Sequence, residues 1–314
     1  MLFRSPFDVT TFTGQISSTT PNQRQVTPKQ NEIIYDEKQN SIGLGETQFI
    51  QQIQISKQLS APEKKQLIAA RQTIQVNSET AFAFIAIEPQ WSQPAQQFAS
   101  YINASIAFYN SDYKTAGKIY TVLSHVDEPW IKETSQYMLI RVAINQAYQS
   151  ATDTYGDFEI SKVNPVLSKA ITQRVNDYLK AYPHGLYRAS AQGLLRRGYW
   201  FSGQNDKLIQ ELAWQLHHPK DPNYNLDILL LPNELDNQVF SNEKLDPNNL
   251  KDPFFLTIYD LMQMRKPTRE DQQSISWAQL QQQKVYFKQQ SELFEYLEAL
   301  HLFFIQKQPA QALN

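Results

Sequence analysis

The sequence predicts an all-α chain of stacked antiparallel helical hairpins, with an extended N-terminal arm and a long Pro/Asn-rich loop. Three observations predict it. Apolar and small residues recur at helical spacing through Pro94–Ala151, at Phe98, Tyr101, Ile102, Ser105 and Phe108, then at Tyr113, Ala116, Ile119, Tyr120 and Leu123. Polar turns and a proline punctuate those stripes, at Asn110-Ser111-Asp112 and at Pro129 before a third helix from Trp130. The pattern returns in Pro165–Tyr182, with Val166, Leu167, Ala170, Ile171, Val175, Tyr178 and Leu179 on one side. Helices with a single apolar face are not stable alone, so neighbours in sequence must fold back and cover one another.

Composition bounds the rest. A length of 314 residues fits one large domain, two domains or a run of small helical units. Hydrophobic content of 41% with 19% charged residues is ordinary for a folded chain. A net charge of −2 gives no global attraction to nucleic acid or to an anionic membrane, so a basic patch has to be sought residue by residue. Cysteine is absent, which removes disulfides, thiolate catalysis, iron–sulfur ligation and Cys-based zinc sites. That does not fix the compartment, since a Cys-free helical chain is at home in cytosol or periplasm. No apolar segment follows Met1-Leu2-Phe3-Arg4-Ser5-Pro6 as a secretory signal would require, although a removed signal with a replacement Met stays open. No run approaches the roughly 18 apolar residues of a membrane helix.

Taken in order, Met1–Gly45 is an extended arm rich in Ser, Thr, Gln, Asn and Pro, anchored by scattered aromatics, with short strands expected at Asp8–Ile16 and Glu32–Asp36. The helical array is expected over residues 46–217. It opens with Phe49, Ile50 and Ile53 and stops at Ser60-Ala61-Pro62, where Ser60 and Glu63 form the pattern of a capping box for the next helix. Thr80–Ile87 is a continuous apolar run that suits a buried short helix or one strand, and its helical neighbours favour helix. Thr152–Asn164 is a loop, Leu186–Phe201 a helix, and Asp206–His217 the next. Residues 218–252 carry Pro219, Pro222, Pro232 and Pro247 among Asn and Asp, and are expected to form an irregular loop around the apolar knot Ile228–Leu231. Residues 253–314 return to helix over Phe254–Met264, Glu270–Gln282 and Val285–Gln306, the last as one long helix or two. The last apolar face leaves two readings: the final turn caps the array, or the array continues beyond the chain.

Part of this array resembles a known repeat family. Tyr109-Asn-Ser-Asp112-Tyr113-Lys-Thr-Ala116-Gly-Lys-Ile-Tyr120-Thr-Val-Leu123, closed by Pro129, resembles the turn and second helix of a tetratricopeptide repeat. The resemblance implies that Ala104 and Ala116 are the small residues through which two helices approach closely, and that Tyr120 is the large aromatic. Ser100, Asn103 and Ala107 depart from the pattern, standing where Trp, Leu and Tyr are usual. Tyr182-Pro-His-Gly-Leu-Tyr187, continued by Ala189, Ala191, Leu194-Leu195 and Tyr199-Trp-Phe-Ser-Gly203, resembles a second unit of the form found in bacterial envelope proteins.

The candidate chemistry is sparse. His125, His184, His217, His218 and His301 show no ligand spacing; the adjacent His217 and His218 diverge by about 100° on a helix, so no metal is expected. Glu292, Glu295 and Glu298 share a stripe, as any solvated helix face does, and Asp127-Glu128 sit at a helix start where negative charge is favoured. There is no nucleophile elbow, phosphate loop or dinucleotide fingerprint, so neither cofactor nor catalysis is expected. The most suggestive polar group is Arg188, Arg196 and Arg197 with Tyr199, since Arg and Tyr are enriched in binding hot spots. The structural alternative is that Tyr199 and Trp200 pack inward while the arginine stems lie over them. Arg141 and Asn145, one turn apart, form a weaker pair. The expected function is a non-catalytic scaffold for a protein or peptide partner, without nucleic acid. The alternative is the N-terminal helical region of a larger enzyme, such as a peptidoglycan-processing one.

Overall fold

The computed structural model describes residues 30–75, 81–227, 231–240, 245, 249–264 and 274–312. Their regular secondary structure is helical, and among them there is no β-strand, only an isolated bridge between Thr152 and Phe158. The chain divides into two compact units, with the boundary between Gly203 and Gln204.

Among its described residues the first unit holds seven α-helices: α1 (Gln30–Ile55), α2 (Ala61–Arg71), α3 (Gln93–Tyr109), α4 (Tyr113–Leu123), α5 (Pro129–Ser150), α6 (Pro165–Ala181) and α7 (Arg188–Phe201). Each packs on the next along the chain, and α3 with α5, and α5 with α7, also touch. The starts are capped by short polar side chains. Ser60 and Glu63 form the expected capping box on α2, and Ser92, Asp112 and Asn164 cap α3, α4 and α6. Ala104 and Ala116 are both fully buried, as close contact between α3 and α4 requires. The core is aromatic: Phe49 of α1, Phe98 and Tyr101 of α3 and Trp130 of α5 meet with ring centroids 5.1–6.1 Å apart. A second cluster, built on Ile171, Val175, Tyr178, Ala191 and Phe201, joins α6 and α7.

Three expectations are corrected. The arm expected to run extended to Gly45 is helical from Gln30, so the strand expected at Glu32–Asp36 lies within α1. Ile42, Phe49 and Ile53 are buried along one side of α1, a stripe that continues into residues assigned to the arm. The expected strand at Asp8–Ile16 lies outside the described residues. Ala81–Glu88 is extended rather than helical, for a reason given below. Finally, the expected irregular loop contains a helical turn, Leu231–Glu234, that runs on as a π-helix over Leu235–Phe240. Leu231, Leu235 and Val239, four residues apart, are buried together and drive it.

The second unit continues with α8 (Asn205–His217), α9 (Pro253–Met264), α10 (Trp277–Gln283) and α11 (Ser291–Phe304), then a last turn at Pro309–Ala312. α9 packs on α11, and His301 of α11 is buried with its ring nitrogen 2.9 Å from the Ile275 carbonyl. Among the described residues no helix is long and apolar enough to cross a membrane.

Candidate peptide-binding face

The feature of the first unit that carries specific chemistry is a ladder of carboxamides on α3. Gln96, Asn103 and Asn110 stand seven residues apart, two turns of helix, so they line one stripe about 10.5 Å from rung to rung. Ala81–Glu88 lies along that stripe as an extended strap. Asn110 accepts from the Phe82 N–H at 2.9 Å and donates to the Phe82 carbonyl at 2.8 Å. Asn103 does the same at Ile85, accepting at 2.9 Å and donating at 3.0 Å. Gln96 donates to the carbonyl of Trp91 at 3.0 Å, where the strap turns into α3.

The two periods match. In an extended chain with three residues per turn, as in polyproline II, residues three apart return to the same side about 9 Å on, so Phe82 and Ile85 both meet the stripe at successive rungs. Each rung presents one donor and one acceptor, which is what the main chain of one residue offers in return. A short apolar run does not reveal by its periodicity whether it is helix or strand. Here the pairing of its main chain by side chains decides the matter. The side chains of Phe82 and Ile85 face the core of the unit, while Phe84 and Ile87 remain 55% and 39% exposed.

The far end of the strap is fixed by α2. Glu63 accepts from the Ser92 N–H at 2.7 Å and from the Ser60 N–H at 2.8 Å, so one carboxylate joins the N-caps of α2 and α3. Those two main-chain donors, Ser92 foremost, hold its pKa down at about 2. Gln66 accepts from the Trp91 indole N–H at 2.8 Å.

Ser100, Asn103 and Ala107 share the stripe of Gln96 and Asn110, and the carboxamide of Asn103 binds the strap. The stripe is polar because it faces a main chain. The signal for it in the sequence is carboxamides repeating every seven residues on an otherwise apolar helix.

Beneath the ladder the unit buries charge among phenols. Arg71, the last residue of α2, is only 2% exposed and donates to the Ile42 carbonyl at 2.8 Å, with Glu46 3.9 Å from its other terminal nitrogen. This ties α1 to α2. Arg141 of α5 has its guanidinium 5.2 Å from the centre of the Phe108 ring, a cation–π contact. Tyr101 and Tyr120 are buried beside these arginines, and burial foremost pushes both phenols up, keeping them neutral.

The residues singled out in the sequence are placed as follows. Asn145 donates to the main-chain carbonyl of Arg141 at 2.8 Å, so these two are joined within α5 rather than presented as a pair of side chains. On α7, Arg188 is half-buried and Arg196 is buried. Arg197 lies 6.0 Å from the ring centres of both Trp200 and Phe201, and Tyr199 packs at the edge of the second core cluster. His217 pairs with Asp252 at 2.5 Å while His218 stacks on Trp214, so the adjacent imidazoles do diverge. No group of three or more His, Asp or Glu among the described residues is placed to hold a metal ion.

Comparison with protein-family models, with curated protein sequences and with solved structures finds no match.

Proposed function

We propose that this chain is a non-catalytic helical scaffold, tetratricopeptide-like in the stacking of its hairpins, that holds a peptide or protein partner. One observation supports this reading above others: α3 already holds a stretch of extended polypeptide by its main chain, through Asn103 and Asn110. Recognition through the main chain tolerates many sequences, while pockets for alternate side chains supply selectivity. Each of the four hydrogen bonds contributes about 1 kcal/mol net, enough to position a segment without making it permanent. In this reading Arg188 and Arg197, with Tyr199, are the further contacts on α7. Arg141 with Asn145, and the buried Arg196, serve packing.

The reading is tested by probing an array of uncharged extended peptides with the chain and with its Asn103→Ala/Asn110→Ala variant. A subset of peptides is expected to be retained by the first and lost by at least about tenfold with the second, two or more hydrogen bonds being worth at least about 1.4 kcal/mol. Retention of no peptide by either protein contradicts the reading.

A further inference from the structure

The strap is held in a way that suits exchange. Among the described residues, side chains of the body bind the main chain of only Phe82 and Ile85 of its eight residues, and the Glu88 carbonyl accepts from the Trp91 N–H in the turn that follows. Two of its largest side chains, Phe84 and Ile87, face outward at 55% and 39% exposure. Beneath it the stripe is neutral and polar at Gln96, Ser100, Asn103 and Asn110, and small at Ala107. Such a surface selects an extended chain and is indifferent to charge. What it does fix is register, because the rungs engage residues three apart, and those same two residues turn their side chains to the core.

Resting on the function proposed above, we infer that Ala81–Glu88 is a competitor held in cis, and that the partner displacing it is an extended segment of another protein with apolar residues at positions i and i+3. The incoming segment takes the four main-chain hydrogen bonds from the strap one for one. Its two apolar side chains occupy the positions of Phe82 and Ile85, and the intervening residues face solvent. The exchange is close to balanced in hydrogen bonds, so affinity is set by how often the strap is open. A strap closed in about nine of ten molecules weakens apparent binding about tenfold. Because no charged side chain lies on the ladder, binding should change little with salt.

The probe is a synthetic peptide of residues 81–88 flanked by lysines, with Phe84 and Ile87 replaced by serine so that only Phe82 and Ile85 stay large and apolar, and a second peptide in which those two are moved to i and i+2. Fluorescence anisotropy compares the full chain, a Phe82→Ser/Ile85→Ser variant with its own strap loosened, and that variant carrying Asn103→Ala/Asn110→Ala in addition. Circular dichroism checks that each is folded. The loosened variant should bind the first peptide at least about tenfold more tightly than the unaltered chain, prefer it over the second, and lose it when the asparagines are removed. Equal binding by the loosened and unaltered chains overturns the competition in cis while leaving peptide binding intact. No binding by any of them overturns both this inference and the function on which it rests. Binding that survives loss of both asparagines places the peptide elsewhere and overturns the inference. A strap-exchanged dimer of the unaltered chain, absent from an Asn103→Ala/Asn110→Ala variant, would make the partner a second copy and overturn the choice of a foreign segment. Should the loosened variant fail to fold, the unaltered chain is titrated at millimolar peptide with and without Asn103→Ala alone, and equal affinity overturns the inference.

Discussion

Gly185→Ala is expected to destabilise the first unit by about 2–4 kcal/mol, more than most single-methyl additions. Gly185 sits in the turn between α6 and α7, where a β-carbon would lie 2.5 Å from Glu133 Oε1, 2.7 Å from Tyr182 Cβ and 2.8 Å from the Tyr178 hydroxyl. None of the three can retreat cheaply. Glu133 Oε1 accepts from the Tyr178 hydroxyl at 2.7 Å and from the Leu186 N–H at 2.6 Å, and the same hydroxyl accepts from the Tyr187 N–H at 3.0 Å. Burial first, and that bond to Glu133 second, push the Tyr178 phenol far above its ordinary range, so it acts only as a neutral hydroxyl here. The network closes the α6–α7 turn onto α5, and hydrogen bonds to a charged group are worth about 1.5–3 kcal/mol each. Urea unfolding of the single variants and of Gly185→Ala/Glu133→Ala measures the coupling. The double variant should lose clearly less than the sum, because both changes break the same contacts. A Gly185→Ala chain within about 0.5 kcal/mol of the parent contradicts the geometry of this turn.

The second unit should lose stability as pH rises, and Asp260→Asn should remove that dependence. Asp260 of α9 is fully buried; one carboxylate oxygen accepts from Gln283 of α10 at 3.0 Å, and the other has no partner among the described residues. Burial pushes its pKa from 3.8 to about 7, with the Gln283 bond opposing the rise. Because the folded value is raised above the unfolded one, the protonated acid is favoured by folding. Its contribution is therefore fully present below about pH 4 and lost as pH rises through about 7. At about 1.4 kcal/mol per pH interval crossed, roughly 2–4 kcal/mol separates pH 4 from pH 8. Thermal melts of the unit should shift downward over that interval in the parent and stay level in Asp260→Asn, which is neutral throughout. The variant should thus be the more stable at pH 8 and nearly equal at pH 4. A parent whose melting is flat between pH 5 and pH 8 would show that the carboxylate is ionised in the fold.

How far these features were legible in the sequence depended on whether local chemistry or distant pairing set them. The capping box at Ser60 and Glu63 and the turn at Asn110-Ser111-Asp112 follow from short-range patterns, and Ala104 and Ala116, singled out by the repeat resemblance, are buried. The helical beginning of α1 was not legible, because Ile42 is isolated from Phe49 by Gly43, Leu44 and Gly45 and looks like a stray anchor until the stripe is aligned. The strap was mistaken for helix because its hydrogen bonds go to side chains on the helix that follows it, a pairing that local propensity does not encode. The arginines of α7 drew attention as residue types. Burial of Arg196 depends on packing that spacing along one helix does not reveal.

The central claim, that carboxamides of α3 grip an extended main chain, is tested most directly by amide hydrogen exchange within Ala81–Glu88. The N–H groups of Phe82 and Ile85 are bound by Asn110 and Asn103, whereas those of Ala83, Phe84, Ala86 and Ile87 have no acceptor among the described residues. Phe82 and Ile85 should exchange at least about tenfold more slowly than these neighbours once intrinsic rates are removed. Asn110→Ala should release Phe82 before Ile85, and Asn103→Ala the reverse. Uniform exchange along the strap, or protection at Phe82 and Ile85 that survives both substitutions, would contradict the account.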